Sequence, residues 1–306
     1  MEVSVLIGSR NRPQVLTRCL ESVLRQDYPS LEVIVLDDAS DQLDLCSFLV
    51  TRFPDVRLRC LRSASQLGVA GGRNKLMKEA KGDIFCFIDD DAYFQDNCAI
   101  TRFVEAFQAY PEVGILACKI VDHRASYKVL LVPFSQRSRK KHPGLIEAPR
   151  FVSYYLGGCH AIRREVISHC GMYQSDLMFG EEELDLSYRA VSAGYRILYE
   201  PRVVVHHWPQ PSVVVGKAGQ GNKTELYHHV RNRLFLAYKY LPWKYVPSYL
   251  TIWLGKYCIE ALRRGVVGAY LRGLTDGLRW LSEVRRTPLD AHAVEYLKRH
   301  FGRLWF

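Results

Sequence analysis

The sequence predicts an α/β fold with a mainly parallel central sheet, helices on both faces of that sheet, and a helical C-terminal extension. Three observations lead to this prediction. Strand and helix patterns alternate through the first 120 residues. The strand at 84–88 is almost entirely apolar, as expected for a strand that helices cover on both faces. From residue 226 onward the apolar spacing is helical only, with prolines at 242, 247 and 288.

The elements follow from the spacing of apolar residues, taken in chain order. Strands are predicted at 3–8, 32–36, 56–61, 84–88 and 113–120, with helices between them at 15–25, 43–53, 68–80 and 100–110. Residues 121–152 are less regular and are predicted as a loop or β-excursion across the site. A helix at 180–193 and strand-like segments at 196–199 and 203–206 follow.

Composition is typical of a globular chain, since 48% of the 306 residues are hydrophobic and 24% are charged. The nine scattered cysteines form no C-x-x-C pair, which predicts reduced, mostly buried thiols of a cytosolic protein and no structural zinc site. We expect neither a signal peptide nor a transmembrane helix, because no long uncharged apolar run occurs.

The net charge of +10 is unevenly distributed. Residues 1–216 carry 26 basic and 26 acidic side chains, so residues 217–306 hold the remaining 16 basic and 6 acidic ones. A basic segment of this kind can bind an anionic membrane face, a phosphorylated acceptor or nucleic acid. A set of helices with solvated basic faces explains it equally well, and no stacking or groove-reading motif supports nucleic acid.

Asp89, Asp90 and Asp91 come directly after the apolar strand at 84–88. Three adjacent carboxylates repel one another unless a cation neutralises them, and oxygen ligands select Mg²⁺ or Mn²⁺. The alternative is an acidic turn that binds no ligand. In a parallel sheet, ligands bind beyond the carboxyl ends of the strands, which favours the metal.

A second acidic cluster, 181–185, opens the helix predicted at 180–193. Acidic residues suit the first turn of a helix, but four in five positions exceed what the helix dipole needs. A carboxylate near an acceptor hydroxyl can take its proton during bond formation. Glu182 and Asp185 lie on one helix face and Glu183 on another, which predicts different roles.

Two weaker motifs complete the set. His206 and His207 end a strand, where a neutral imidazole can complete a metal site, although a histidine pair is often structural. The glycine-rich segment 67–74 opens a helix whose amides can attract an anion. That segment is neither a phosphate-binding G-K-[ST] loop nor a full G-x-G-x-x-G motif.

In their order along the chain these motifs resemble glycosyltransferase family 2, whose members have the GT-A fold and invert the anomeric carbon, with a weaker similarity to rhamnosyltransferase-like members. The likeness extends over about residues 1–240. The matching segments are 3–7, 10–12, 22–26, 33–40, 71–74, 87–92, 157–158, 179–190, 193–197 and His207.

The resemblance implies a donor site and a metal site. Asp38 would contact the donor base, with Gly8, Arg10 and Arg73 nearby. Asp89-Asp90-Asp91 matches the D-x-D motif, so that Asp91 would bind the metal while Asp89 and Asp90 face ribose and diphosphate. His207 matches the late metal-site histidine, with His206 as the alternative.

The resemblance also implies an acceptor site. Glu182-Glu183 matches the family's E-D pair, so Glu183 would be the catalytic base and Glu182 the alternative, with Glu here where Asp is usual. Gly157, Gly158 and Asp185 would shape the acceptor pocket. The expected reaction is an inverting transfer from a nucleotide sugar to a carbohydrate, lipid-linked or other hydroxyl acceptor in cell-surface polysaccharide or glycoconjugate synthesis.

This interpretation divides the chain into a catalytic domain at 1–240, with a nucleotide-sugar half at 1–120 and an acceptor half at 121–240, and an extension at 241–306. We expect a cytoplasmic protein that contacts the inner membrane face through the basic extension. Two alternatives are a non-catalytic nucleotide- or sugar-binding protein on the same fold, and a dinucleotide-dependent oxidoreductase. The intact carboxylates disfavour the first, and the missing glycine motif disfavours the second.

Overall fold

A computed structural model describes residues 1–124, 127–209 and 221–304. The strands are β1 Val3–Ser9, β2 Leu31–Asp37, β3 Leu58–Arg62, β4 Ile84–Ile88, β5 Ala92–Phe94, β6 Val113–Arg124, β7 Tyr127–Leu131, β8 Arg150–Val152, β9 Cys159–Arg163 and β10 Arg196–His207. The helices are α1 Pro13–Leu24, α2 Leu45–Arg52, α3 Gly68–Glu79, α4 Ala99–Ala109, α5 Gln136–Lys141, α6 Arg164–Cys170, α7 Glu182–Ser192, α8 Gly221–Tyr240, α9 Val246–Arg264, α10 Val267–Leu281 and α11 Ala291–Arg299.

The strands form one mixed sheet in the order β3-β2-β1-β4-β9-β6-β10-β5, with β7 beside β6 and β8 beside β10. The half built from β1 to β4 is parallel, as the alternating pattern predicts. Antiparallel β9 joins that half to β6, and β10 runs parallel to β6. The predicted β-excursion at 121–152 contains β7, α5 and β8.

Helices cover both faces of the sheet, as predicted. One apolar layer joins the sheet to α1, α2 and α4, through residues such as Leu20, Leu49 and Phe103. The opposite layer joins it to α3, α6, α7 and the C-terminal helices. Tyr249 and Leu297 of the predicted extension belong to this same layer, so the C-terminal helices share the core of the chain's first 240 residues.

The prediction of reduced cysteines is wrong for one pair. Cys46 at the start of α2 and Cys60 in β3 form a disulfide, with their Cα atoms 5.4 Å apart. The sequence does not indicate this pairing, because the two cysteines are 14 residues apart and come together only when α2 packs near the edge strand β3. The other seven cysteines are free thiols. Across the described ranges no helix is both long enough and apolar enough to cross a bilayer.

Candidate active site

The sheet brings three of the predicted motifs to one edge. Asp89 follows β4, and its backbone N–H donates to Gly158 O over 3.0 Å because antiparallel β9 begins where β4 ends. His207 ends β10 opposite Ala92 of β5, which sets it beside Asp91. The carboxyl ends of β4 and β10 and the amino end of antiparallel β9 therefore gather residues from positions 89, 158 and 207.

The three aspartates at this edge have different surroundings. Asp90 is buried, accepts a 2.7 Å hydrogen bond from Ser9 Oγ, and pairs with Arg12 Nη1 at 3.2 Å. Burial raises the pKa of Asp90 to about 6. The Asp89 side chain is the accessible one, 44% exposed against 8% for Asp91. Asp89 is thus the one member of the triplet that is largely open to solvent, whereas Asp90 and Asp91 are both mostly buried.

His207 is held between two carboxylates. Its Nε2 lies 3.1 Å from Asp91 Oδ1, and its Nδ1 lies 3.3 Å from Oδ1 of the buried Asp122. Burial alone would lower the pKa of His207, but its hydrogen bond and charge interaction with Asp91 prevail and raise that pKa to about 9. His206 instead bonds to His123 and stacks on Tyr93. Of the two histidines, the geometry favours His207 as the metal ligand.

Asp89, Asp91 and His207 fit a divalent cation. One ligand atom from each lies within 4.8 Å of the other two, a spacing that one ion can bridge. Asp122 supplies a further feature of metal sites, because a histidine ligand commonly donates its other ring N–H to a carboxylate. Two carboxylates and one imidazole suit Mn²⁺ or Mg²⁺, with open positions for phosphate oxygens.

Arg73 joins this metal group to the second acidic cluster. The buried guanidinium lies 2.7 Å from Glu183 Oε1, 3.4 Å from Glu182 Oε1 and 3.8 Å from Asp89 Oδ1. It also donates to Gly157 O over 3.1 Å. A Cβ atom at Gly157 would collide with the Glu183 carboxylate and crowd Arg73. Position 157 therefore accommodates only glycine while Glu183 keeps this place.

The three glutamates of the second cluster also differ. Glu181 has a left-handed backbone, with φ 73°, and pairs with Arg233 at 2.6 Å and His229 at 3.1 Å. Burial alone would raise the pKa of Glu181, but these two partners lower it. Burial and the neighbouring charge of Glu183 raise the pKa of Glu182, whose Oε2 is buried without a hydrogen bond. Glu183 faces the adjoining cavity.

The predicted donor residues lie around the ends of β1 and β2. Asp38 accepts the backbone N–H groups of Leu67 at 2.7 Å and Gly68 at 3.1 Å, at the start of α3. Arg10 contacts Gln66 and the carbonyl of Ala39. A Cβ atom at Gly8 would meet nothing within 4 Å, so open space adjoins this strand end. Contact with a donor base remains a prediction for these three residues.

Asp185 does not lie where the acceptor-pocket prediction puts it. Its side chain is fully buried in α7, where it pairs with Arg189 Nη2 at 2.6 Å and accepts a 2.6 Å hydrogen bond from Tyr240. It is absent from the lining of the cavity that Gly157, Gly158 and Glu183 share. The acidic pattern does not distinguish it, because two positions along α7, about half a helical turn, carry Asp185 away from Glu183 and into the core.

That cavity has a volume of about 570 Å³ and opens beside the metal group. Asp89, His207 and Glu183 line one end. Aliphatic and aromatic side chains form most of the walls, and residues of α9 and the C-terminal segment close them. The walls include Leu130, Val132, Phe134, Tyr154, Tyr155 and Trp253. No motif in the sequence indicates this contribution, because it comes from segments more than 100 residues apart.

Asn232 and Arg233 of α8 stabilise the second acidic cluster, and none of the motifs described above predicts this contribution. Asn232 Nδ2 donates to the carbonyls of Leu177, Phe179 and Gly180 over 2.8–3.0 Å. Arg233 neutralises Glu181 from the next position. The sequence Arg231-Asn232-Arg233 directly precedes the apolar run 234–237, and polar side chains beside such a run need partners where they are buried.

Comparison with known proteins agrees with this geometry. The family model "Glycosyl transferase family 2" matches residues 4–171. A relative from Escherichia coli, UDP-Glc:alpha-D-GlcNAc-diphosphoundecaprenol beta-1,3-glucosyltransferase WfgD, is 36% identical over 89 residues, which are 29% of this chain and 34% of that protein. The chain spans between a quarter and about a third of the length of the first curated relatives it matches.

Solved structures share the fold. TarS 1-349 of S. aureus in complex with UDP-GlcNAc superposes with a TM-score of 0.65 and 16% identity, covering 92% of this chain and 82% of that one. The mannosyltransferase PcManGT from Pyrobaculum calidifontis, in complex with GDP-Man and Mn²⁺, gives 0.55 and 19%, covering 98% and 86%. At such identities the likeness establishes the GT-A fold alone.

Proposed function

This chain belongs to glycosyltransferase family 2, and from that premise we propose that it is a metal-dependent, inverting glycosyltransferase. It moves a sugar from a nucleoside diphosphate sugar onto the hydroxyl group of an acceptor. One observation carries the proposal: Asp89 and His207, which form a possible metal group with Asp91, line the same cavity as Glu183, which pairs with Arg73. Donor activation and acceptor deprotonation need those two functions side by side.

Residues of this chain supply each step. A cation bound by Asp89, Asp91 and His207 would neutralise the charge that develops on the departing diphosphate. Glu183 takes the proton of the acceptor hydroxyl as that oxygen attacks the anomeric carbon. Arg73 orients the Glu183 carboxylate, and Gly157 leaves room for it. Attack opposite the leaving group inverts the anomeric centre in a single displacement.

Melting temperature tests donor binding most directly. The purified chain is heated with UDP, GDP or the corresponding nucleotide sugars, each in Mn²⁺, Mg²⁺ or EDTA. A ligand that binds only the folded state raises the melting temperature, by an amount that grows with its concentration. We expect one base to give a metal-dependent rise that Asp91→Ala abolishes. Equal melting with and without metal for every nucleotide would contradict the proposal.

We further propose a lipid-linked carbohydrate acceptor and a position at the cytoplasmic face of a membrane. The WfgD relative is named for a diphosphoundecaprenol-linked substrate. In this chain α9 and α10 expose aliphatic side chains beside basic ones, and anionic lipids make the cytoplasmic leaflet negative. The exposed aliphatic residues are Ile252, Ile259, Leu262, Val267, Leu271 and Leu278, and the neighbouring basic ones are Lys256, Arg263, Arg264, Arg272 and Arg279.

Co-sedimentation with vesicles tests the membrane contact. We expect binding to vesicles with anionic lipid, weaker binding at high salt, and loss of binding in a Leu262→Glu/Leu278→Glu variant. These side chains are 65% and 60% exposed, so the substitutions leave the core intact. The matched control is Val50→Glu, an aliphatic residue on α2 that is 72% exposed. Equal loss in the control, or none in the double variant, would refute this surface.

A further inference from the structure

The cavity contains positive charge that the protein itself does not neutralise. Arg139 of α5 and Arg303 near the C-terminus both line it. Over the described parts of the chain, neither guanidinium has a carboxylate within ion-pair distance. Arg139 donates to the carbonyl of Leu130 over 3.2 Å, and Arg303 donates to the Tyr154 hydroxyl over 2.9 Å. Neutral partners leave both charges available to a ligand.

Two buried donors in the same wall also lack partners. Nε of Arg139 and Nε of Arg233 are buried and make no hydrogen bond within the described residues. Arg233 already has its charge balanced by Glu181 at 2.6 Å, so it adds a donor and little net charge. An unsatisfied buried donor costs about 1–3 kcal/mol, which a bound acceptor atom would recover. The wall is therefore suited to an anion rich in oxygen atoms.

The surroundings of these arginines are apolar. Leu130, Val132 and Phe134 lie on one side of the cavity and Trp253 on another. The guanidinium of Arg303 lies over the rings of Tyr154 and Trp253, with its Cζ atom 5.3 and 5.7 Å from their centroids. A free sugar offers neither charge for the arginines nor apolar surface for these walls. A ligand that matches both has a charged group joined to a hydrocarbon chain.

We propose that Arg139 and Arg303 form a phosphoryl-binding subsite for an acceptor in which a phosphoryl group links the sugar to an apolar chain. The inference rests on the proposed function, because it concerns the acceptor end of the same cavity. Guanidinium groups bind phosphate oxygens in pairs of parallel hydrogen bonds, which fixes the position of the ligand as well as attracting it. The subsite selects the acceptor and takes no part in bond formation.

Three probes separate the parts of this ligand. Decyl phosphate has the charge and the chain, decyl glucoside has the chain without the charge, and inorganic phosphate has the charge without the chain. Binding is measured by calorimetry on the full chain in EDTA, below the micelle concentration, so that no cation at Asp89 and Asp91 attracts phosphate. We expect decyl phosphate to bind at least about tenfold more tightly than either partial probe.

The variants assign that preference to the two arginines. Arg139→Gln and Arg303→Gln should each weaken decyl phosphate binding about tenfold and leave decyl glucoside binding unchanged. Arg137→Gln is the matched control, because Arg137 is an exposed cation on the same helix outside the cavity lining. Equal binding of decyl phosphate and decyl glucoside would overturn the proposal. Equal binding of decyl phosphate and inorganic phosphate would overturn its apolar part.

Donor binding is measured on the same proteins to keep the two proposals separate. The glutamine variants should keep the wild-type, metal-dependent melting shift with nucleotide. If the wild type shows no metal-dependent melting shift with any nucleotide but still binds decyl phosphate, the glycosyltransferase proposal is refuted and the subsite proposal stands. A normal nucleotide shift, with decyl phosphate bound no better than decyl glucoside, would refute the subsite alone.

Discussion

Two acidic triplets lie at the centre of this molecule, and the protein compensates them differently. Asp89–Asp91 follows a strand, and its members at 89 and 91 join His207 in a group that suits a cation. Glu181–Glu183 opens a helix, and arginines balance two of its members: Arg233 pairs with Glu181 and Arg73 with Glu183. The first triplet thus keeps Asp89 and Asp91 open to a cation, since Arg73 and Arg12 reach them only at 3.8 and 3.6 Å, whereas the second has its arginine countercharge built in at 2.6 and 2.7 Å.

Adjacent acidic residues in these two triplets have different surroundings and need not share a role. In the first triplet Asp90 is turned into the protein, where it meets Arg12, whereas in the second Glu181 pairs with Arg233 in the wall of the cavity. Asp89 and Glu183 also line the cavity, and Arg73 contacts both. Removing a residue from the first triplet should therefore affect metal binding, and removing one from the second should affect chemistry or stability.

The largest expected effect comes from Asp91→Asn. Cation stabilisation of a leaving group is worth several kcal/mol, so its loss should lower kcat/KM roughly a thousandfold. Steady-state rates over a Mn²⁺ titration measure it. Asp83→Asn is the control, since Asp83 is an exposed acid just before the other end of β4. Unchanged metal dependence in Asp91→Asn would remove the first triplet from the cation site.

Glu183→Gln should come next. General base catalysis typically contributes about 10²–10⁴ in rate, and glutamine cannot accept the proton. We expect kcat to fall by that factor while the metal-dependent nucleotide shift persists, because Glu183 lies outside the metal group. Glu182→Gln should reduce kcat far less. If the two variants fell equally, or in the opposite order, the base would be assigned to the wrong glutamate.

Arg233→Met tests whether Arg233 compensates the buried charge of Glu181, and the quantity that changes is the free energy of unfolding. Removing one partner of a buried ion pair typically costs about 3–5 kcal/mol, since it leaves an uncompensated charge at Glu181. Urea unfolding measures the loss. Arg299→Met removes an arginine from the exposed pair with Glu295 and should have little effect. Similar unfolding curves for both variants would mean that the second triplet is not internally balanced.

The last prediction is a pH dependence of stability due to Glu182. Its pKa is raised in the folded protein, so the folded state binds more protons than the unfolded state as the pH rises above the ordinary glutamate range. Its contribution to stability is complete below the unfolded pKa and is lost as the pH rises through the folded one. The slope for one proton reaches about 1.4 kcal/mol per pH unit.

Unfolding free energies at about pH 5 and pH 8 compare wild type with Glu182→Gln. The wild type should lose more stability over that range, because glutamine does not titrate. A parallel pH profile for the two proteins would show that Glu182 is ionised in the fold.

The sequence alone predicts the parallel half of the sheet and the proximity of Asp89, Asp91 and His207. Alternating strand and helix patterns predict β1 to β4, and strand ends bring Asp89 and Asp91 to the edge of the sheet. His207 was predicted as well, but its preference over His206 needed three dimensions. Only the structure shows that Asp122 lies next to His207, whereas His206 bonds to His123.

The cavity beside Asp89 and Glu183 is much less predictable from the sequence. Its walls come from α5, β7, α9 and the residues around Arg303, and no periodicity in one segment reveals contact with another. The prediction that Asp185 lines the acceptor pocket is wrong, because an acidic helix start gives no information about which face of the helix is buried. The Cys46–Cys60 disulfide escaped for the same reason, since spacing alone does not report proximity.

The three hydrogen bonds from Asn232 limit how this chain could be recombined with its relatives. They bind α8 to the segment that includes Met178 and Gly180, both at positive φ, immediately before the Glu181–Glu183 triplet. A chimera that exchanged residues 1–200 alone would separate the strained turn from the amide that holds it. A chimera that is to fold should therefore take α8 and the turn from the same parent protein.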